Sequence, residues 1–154
     1  FKGGSPIQNQ ILNEIKRTKL TAFKVSNLID GGDICMKSNI FLKGKAEDIY
    51  KNIEKKAVKM IKKISKKKKI FFKKQEGTSS FYKRRKPFQS NMSNVINKKL
   101  NKIYDFIRML DAETYPRAYF ILGNKKVELS NVILKNQFIT GKFIIKRNKK
   151  KWKF

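Results

Sequence analysis

Two short segments hold the residue types that could do chemistry: Gly3-Gly4-Ser5-Pro6-Ile7-Gln8 and Leu28-Ile29-Asp30-Gly31-Gly32-Asp33-Ile34. A Gly-Gly entry lets backbone approach a ligand closely, and the Pro that follows opens a helix whose N-terminal amides favour anions. An Asp on a turn between two strands is held rigidly, with its carboxylate free for proton handling or for orienting a base. Taken alone, Asp-Gly-Gly-Asp has an equally simple conformational reading, because Asp and Gly suit tight turns. A third candidate is basic and aromatic. Lys66 to Lys69 and Lys83-Arg84-Arg85-Lys86 flank Phe71, Phe72, Phe81 and Tyr82. Such a patch can hold a phosphate backbone and stack bases, or be a solvated linker with a few docked aromatics.

Composition removes other chemistries. The 154 residues contain no His and one Cys, Cys35. Imidazole dyads, His-ligated metals, internal disulfides and CxxC zinc sites are therefore excluded, and no metal is expected. Sparse cysteine suits a reducing, cytoplasmic setting. No apolar run reaches the ~18 residues of a membrane span, so no membrane partner is expected. The start, Phe1-Lys2-Gly3, has neither Met nor a hydrophobic leader and reads as the middle of a longer protein. The 39 basic and 11 acidic residues give a net charge of +28, which points toward polyanions. Yet 33 of the basic residues are Lys and 6 are Arg, whereas nucleic-acid readers lean on Arg forks. Lys, Ile and Asn make up 65 of the 154 residues, the set favoured by A/T-rich codons, so genome composition competes as the origin of the charge.

The elements that must position these groups follow from periodicity. Apolar residues at 7, 11, 12 and 15 predict a short helix opened by Pro6. Thr21 to Val25 alternates as a strand, Asp30 to Asp33 is a tight turn whose glycines take φ > 0, and Ile34 to Leu42 is the return strand. Residues 46–64 form an amphipathic helix with Ile49, Ile53, Ala57, Ile61 and Ile64 on one stripe. Leu100, Ile103, Tyr104, Ile107 and Leu110 predict a third helix. Arg117 to Leu122, a Gly123-Asn124 turn, Lys125 to Leu134 and a hairpin around Thr140-Gly141-Lys142 predict three or four antiparallel strands. Asp105 and Arg108 suit a helix-surface ion pair, and Asp111 and Glu113 a cap or turn. Cys35 reads as a small core residue. The expected organisation is residues 1–65 as one domain, 66–86 as a basic linker, 87–147 as a second domain and 148–154 as a frayed basic tail.

In their order and spacing, these motifs resemble the N10-formyltetrahydrofolate-dependent formyltransferase family, which includes methionyl-tRNA formyltransferase and the sugar-nucleotide N-formyltransferases. Lys2-Gly3-Gly4-Ser5-Pro6-Ile7-Gln8 is similar to the family's Arg-Gly-x-x-Pro-Ile-Gln, with Lys for Arg. Ile29-Asp30-Gly31-Gly32-Asp33-Ile34 is similar to its Leu-Asp-x-Gly-Asp-Ile turn. Arg84-Arg85-Lys86-Pro87, Ile107-Arg108-Met109-Leu110 and Pro116-Arg117-Ala118 resemble its C-terminal subdomain. The resemblance covers roughly residues 2–145.

The resemblance implies an α/β fold: a remnant of a Rossmann-like formyltransferase domain, joined by the basic linker to a small helix-plus-antiparallel-β, OB-like C-terminal subdomain. It implies transfer of a formyl group from 10-formyltetrahydrofolate to a primary amine, on methionyl-tRNA or a nucleotide-linked amino sugar. The family works with an Asn-His-Asp constellation, and Asp30 holds the Asp position as proton relay. Gly3, Gly4, Pro6, Gln8, Ile29, Gly31 and Gly32 would lie against the folate donor, and Arg84 and Arg85 against the acceptor. The Asn and His have no counterpart in this chain, so it is expected to be inactive alone and to need the upstream half of a parent enzyme. The competing reading is a non-enzymatic, basic RNA-binding module.

Overall fold

A computed structural model describes residues 2–147. The expected tail 148–154, with Trp152, lies outside the described residues. The chain divides between Arg85 and Lys86 into two compact units, both of mixed α and β structure.

The first unit begins with strand β1 (Lys2–Gly3) and helix α1 (Pro6–Leu12). Pro6 starts the helix as expected, since its missing N–H is one the first turn cannot use. The helix ends before Ile15. Glu14 takes φ +58, its N–H donates to the Ile11 carbonyl and the Ile15 N–H donates back to the Gln10 carbonyl. These are the two bonds of a Schellman closure, so Ile15 seals the helix instead of extending it.

Strands β2 (Arg17–Phe23) and β3 (Ile34–Phe41) pair antiparallel. Helix α2 (Ala46–Ser65) packs on them, with Glu47 and Asp48 in its first turn and Lys62 and Lys63 in its last, the arrangement its dipole favours. The expected stripe needs one correction: Ile61 is 64% exposed, and Met60 is buried instead. Repeated steps of four drift around a helix of about 3.6 residues per turn, whereas eleven residues from Ile49 to Met60 come close to three whole turns. Ile11, Ile40, Leu42, Ala46, Ile49 and Met60 make the core.

Residues 73–85, expected as part of a solvated linker, bond to this unit. Lys73 exchanges both backbone hydrogen bonds with Ile34. Strand β4 (Phe81–Tyr82) lies parallel to β1. Tyr82 Oη accepts from Asn13 Nδ2 at 3.0 Å.

The second unit opens with two 3₁₀ turns (Pro87–Ser90 and Met92–Asn94) and helix α3 (Leu100–Arg108), followed by the antiparallel order β5 (Ala118–Leu122), β6 (Lys125–Leu134), β7 (Ile139–Arg147). Gly123 and Asn124 form the first connection as expected. The second does not fall at Thr140-Gly141-Lys142. It falls at Lys135–Phe138, where the Lys135 N–H donates to the Phe138 carbonyl. Gly141 sits inside β7 opposite a bulge at Asn131 and Val132; a Cβ there would lie 2.8 Å from Val132 Cγ1. The bulge breaks the alternation, so Val127 is buried but Ile133 is exposed.

Asp105 and Arg108, expected on the surface, are buried and paired at 2.7 Å. Asp111, also buried, accepts the Asn131 N–H on Oδ2 at 2.6 Å. Among the described residues no helix is long and apolar enough to cross a membrane.

Candidate active site

The loop between β2 and β3 spans residues 24–33, longer than the tight turn its glycines predicted. Its first and last residues are joined by the Lys24 N–H donating to the Asp33 carbonyl at 2.8 Å. Within it, the Gly31 N–H donates to the Leu28 carbonyl and Ser26 Oγ bonds the Leu28 backbone. The left-handed residue is Asp30, at φ +51, and not either glycine. Gly31 and Gly32 are needed for space. A Cβ on Gly31 would sit 2.6 Å from Leu28 Cβ, and one on Gly32 would collide with the Lys24 carbonyl.

The two motifs read from the sequence meet here. Gly3 N–H donates to Asp30 Oδ2 at 3.0 Å. Strand geometry explains why this amide is available. In β1, Lys2 N–H and Gly4 N–H donate to the Ser80 and Tyr82 carbonyls, so the intervening Gly3 N–H points the other way. Gly3 holds φ +91, and its missing Cβ makes room for the Tyr82 carbonyl; a Cβ on Gly4 would lie 2.5 Å from Arg84 Cα.

A residue that the sequence reading missed completes the loop. Gln75 Nε2 donates to the Asp30 carbonyl at 2.9 Å and to the Gly32 carbonyl at 2.7 Å. It stands in an irregular, lysine-rich stretch, where one amide carries no pattern that a single sequence reveals.

The other expected site residues are placed as follows. Gln8 is buried, and its Nε2 donates to Tyr50 Oη of α2 at 2.6 Å. Pro6 opens α1. Ser5, at φ +48, makes no side-chain cap; its Oγ accepts the Arg85 N–H at 3.2 Å. Leu28 and Ile29 are 71% and 70% exposed beside the exposed Asp30. Arg84 is exposed and Arg85 half-buried. Of the basic-aromatic patch, Phe71, Phe72 and Phe81 are exposed and Lys69 lies over the Phe71 ring. Cys35 is a half-buried free thiol in β3.

In the second unit, Glu128 on β6 has its pKa altered by its surroundings. Burial alone would raise it, but hydrogen bonds from Lys146 at 2.6 Å and Lys126 at 3.0 Å outweigh that and hold it below the usual glutamate range.

Likeness to known proteins falls on both units. Residues 87–146 match the family description "Methionyl-tRNA formyltransferase, C-terminal domain". Methionyl-tRNA formyltransferase from Clostridium thermocellum is 41% identical and superposes with a TM-score of 0.88, over 95% of this chain and 63% of that one. The chain thus spans less than two thirds of that enzyme. A 4-N formyltransferase from Francisella tularensis shares the fold at 20% identity and a TM-score of 0.71, over 87% of this chain and 58% of that one. A sugar 3N-formyl transferase, solved in the presence of dTDP and 5-N-formyl-THF, shares it at 19% identity and a TM-score of 0.60, over 97% and 61%. Among curated protein sequences none matches significantly. Residues 87–146 thus carry the signature of a methionyl-tRNA formyltransferase C-terminal domain, and the chain as a whole is similar in both fold and sequence to the Clostridium enzyme.

Proposed function

We propose that this chain is the part of a folate-dependent N-formyltransferase that carries the proton-handling carboxylate and the C-terminal domain, and that the acceptor is methionyl-tRNA. The observation that carries the reading is the Gly3–Asp30 hydrogen bond, which ties the two formyltransferase-like motifs into one site. In this reading the first unit is the remnant of a Rossmann-like domain, residues 66–86 its basic connection, and 87–147 an OB-like subdomain. Sequence supports this choice of acceptor: identity is 41% to a methionyl-tRNA formyltransferase against 20% to the Francisella enzyme.

The Asp30 loop suits a folate donor. Leu28 and Ile29 form an exposed apolar ledge beside an exposed carboxylate, which fits a flat ring with polar edges. Gly3, Gly4, Pro6, Gly31 and Gly32 contribute backbone to its surroundings, while the Gln8 side chain is committed to Tyr50. The donor supplies a formyl group carried on an aromatic-linked nitrogen. Asp30 takes the proton that an attacking amine must lose: Gly3 N–H occupies Oδ2 and fixes the carboxylate, leaving Oδ1 for the proton. The imidazole that would partner it has to come from outside these 154 residues, which contain no His. In this reading the exposed Arg84 and the half-buried Arg85 offer positive charge to an acceptor phosphate.

The test is a chimera in which this chain follows the segment of the Clostridium enzyme that it does not cover. Formylation of methionyl-tRNA is expected, with none by the 154-residue chain alone. Transfer only to a nucleotide-linked amino sugar would overturn the acceptor, and transfer to neither would overturn the reading. Tight, salt-sensitive RNA binding without transfer would favour the basic RNA-binding module instead.

A further inference from the structure

We propose that Gln75 is a positioning residue for the Asp30 carboxylate, acting through the backbone of the loop that carries it. The inference rests on the reading of Asp30 as the proton-handling group. Both N–H bonds of the Gln75 amide are used, one on the Asp30 carbonyl at 2.9 Å and one on the Gly32 carbonyl at 2.7 Å. The amide orientation follows from chemistry, because an amide oxygen turned toward two carbonyls would be repelled by both.

These two carbonyls bracket the Gly31–Gly32 peptides, so the amide fixes the stretch immediately after Asp30. Asp30 needs such a hold. Its backbone sits at φ +51, in the left-handed region that a side chain disfavours, and a strained residue keeps its conformation only where its surroundings over-determine it. Packing does not supply this, since Leu28, Ile29 and Asp30 are exposed. Hydrogen bonds do: Gly3 grips the side chain and Gln75 the backbone. Gln75 is itself anchored two residues earlier, where Lys73 and Ile34 exchange hydrogen bonds of 2.9 and 2.7 Å. Ile34 lies two residues beyond Gly32, so loop and clamp share one fixed point.

The competing role is a tether that merely holds residues 73–85 to the first unit. The two roles separate in the NMR spectrum of the 154-residue chain, where the Gly3 amide reports the carboxylate. In the wild type the bond to Asp30 Oδ2 is expected to protect its proton from exchange and to hold its shift at a hydrogen-bonded value. Gln75→Leu keeps the volume and removes both donors. It is expected to speed Gly3 exchange roughly tenfold or more and to move its shift off the hydrogen-bonded value, while the Ile40 and Ile49 amides stay as they are. Tyr82→Phe removes the Asn13 bond from the same segment without touching the loop, and is expected to leave the Gly3 signal intact.

Unchanged Gly3 behaviour in Gln75→Leu, or equal losses in both variants, would overturn the proposal. Should Gln75→Leu not fold, Gln75→Glu serves: ionised, it has no donor, so the Gly3 signature should be lost at neutral pH, and its retention overturns the proposal. No transfer assay enters these measurements. An inactive chimera with a Gln75-dependent Gly3 signal would sink the formyltransferase mechanism alone, and an active one with an indifferent signal would sink the positioning role alone.

Discussion

The Asp30 carboxylate and the Gly3 amide, 27 residues apart, share a hydrogen bond of 3.0 Å. A parallel pairing with residues 81–82 turns the Gly3 N–H outward, and a left-handed Asp30 meets it. The candidate site is therefore a product of three chain segments, the third of them the lysine-rich stretch that holds Gln75.

Gly32 is required for closeness and not for φ. Gly32→Ala would drive a methyl group into the Lys24 carbonyl and is expected to cost about 1–3 kcal/mol, read as a lowered thermal midpoint. A neutral result would mean that the loop backs away from Lys24 without cost.

Asp111 supports the β6 bulge. It is buried and holds the N–H of Asn131, which sits at φ +50. Asp111→Ala strands that amide and is expected to cost about 1–3 kcal/mol, with faster hydrogen exchange at Asn131. Asn131→Gly, which keeps the amide and suits positive φ, is expected to be close to neutral.

The face of α2 can be checked with two neighbours. Met60→Ala is expected to cost about 2–5 kcal/mol, because Met60 is buried. Ile61→Ala is expected to stay within about 0.5 kcal/mol. The reverse order in denaturant titrations would restore the stripe that simple steps of four suggest.

Glu128 ties part of the stability to pH. Its folded-state value is lowered, so its contribution is complete above the ordinary glutamate range and lost as pH falls through the lowered folded value. The partners Lys126 and Lys146 are partly exposed, which limits the contribution to about 1 kcal/mol. Glu128→Gln should melt earlier than the wild type at neutral pH, and the gap should close in acid. A gap that widened in acid would contradict the ion pairs.

Local signals were legible where one residue type had one physical consequence. Pro6 marks the start of α1, Gly123-Asn124 the first turn of the sheet, and the Asp30 motif the loop that meets Gly3. The second hairpin is not legible because Gly141 looks like a turn residue when its lack of a side chain serves a bulge across the strand. Asp105–Arg108 looks like a surface pair in the sequence because i, i+3 spacing says nothing about what covers the helix. The positive φ went to Asp30 because the neighbouring glycines were needed for contact. The side chains of Gln75, Tyr50 and Tyr82 meet partners 42 to 69 residues away, and no spacing rule reaches that far.

The most direct measurement is the formyl-transfer rate of the chimera with Asp30 and with Asp30→Asn. The isosteric amide keeps an oxygen for Gly3 N–H, so folding should be near normal, while loss of the proton acceptor should slow transfer roughly 10²–10⁴-fold. Transfer within a few-fold of the parent, in a folded protein, would contradict the role given to Asp30 and with it the mechanism.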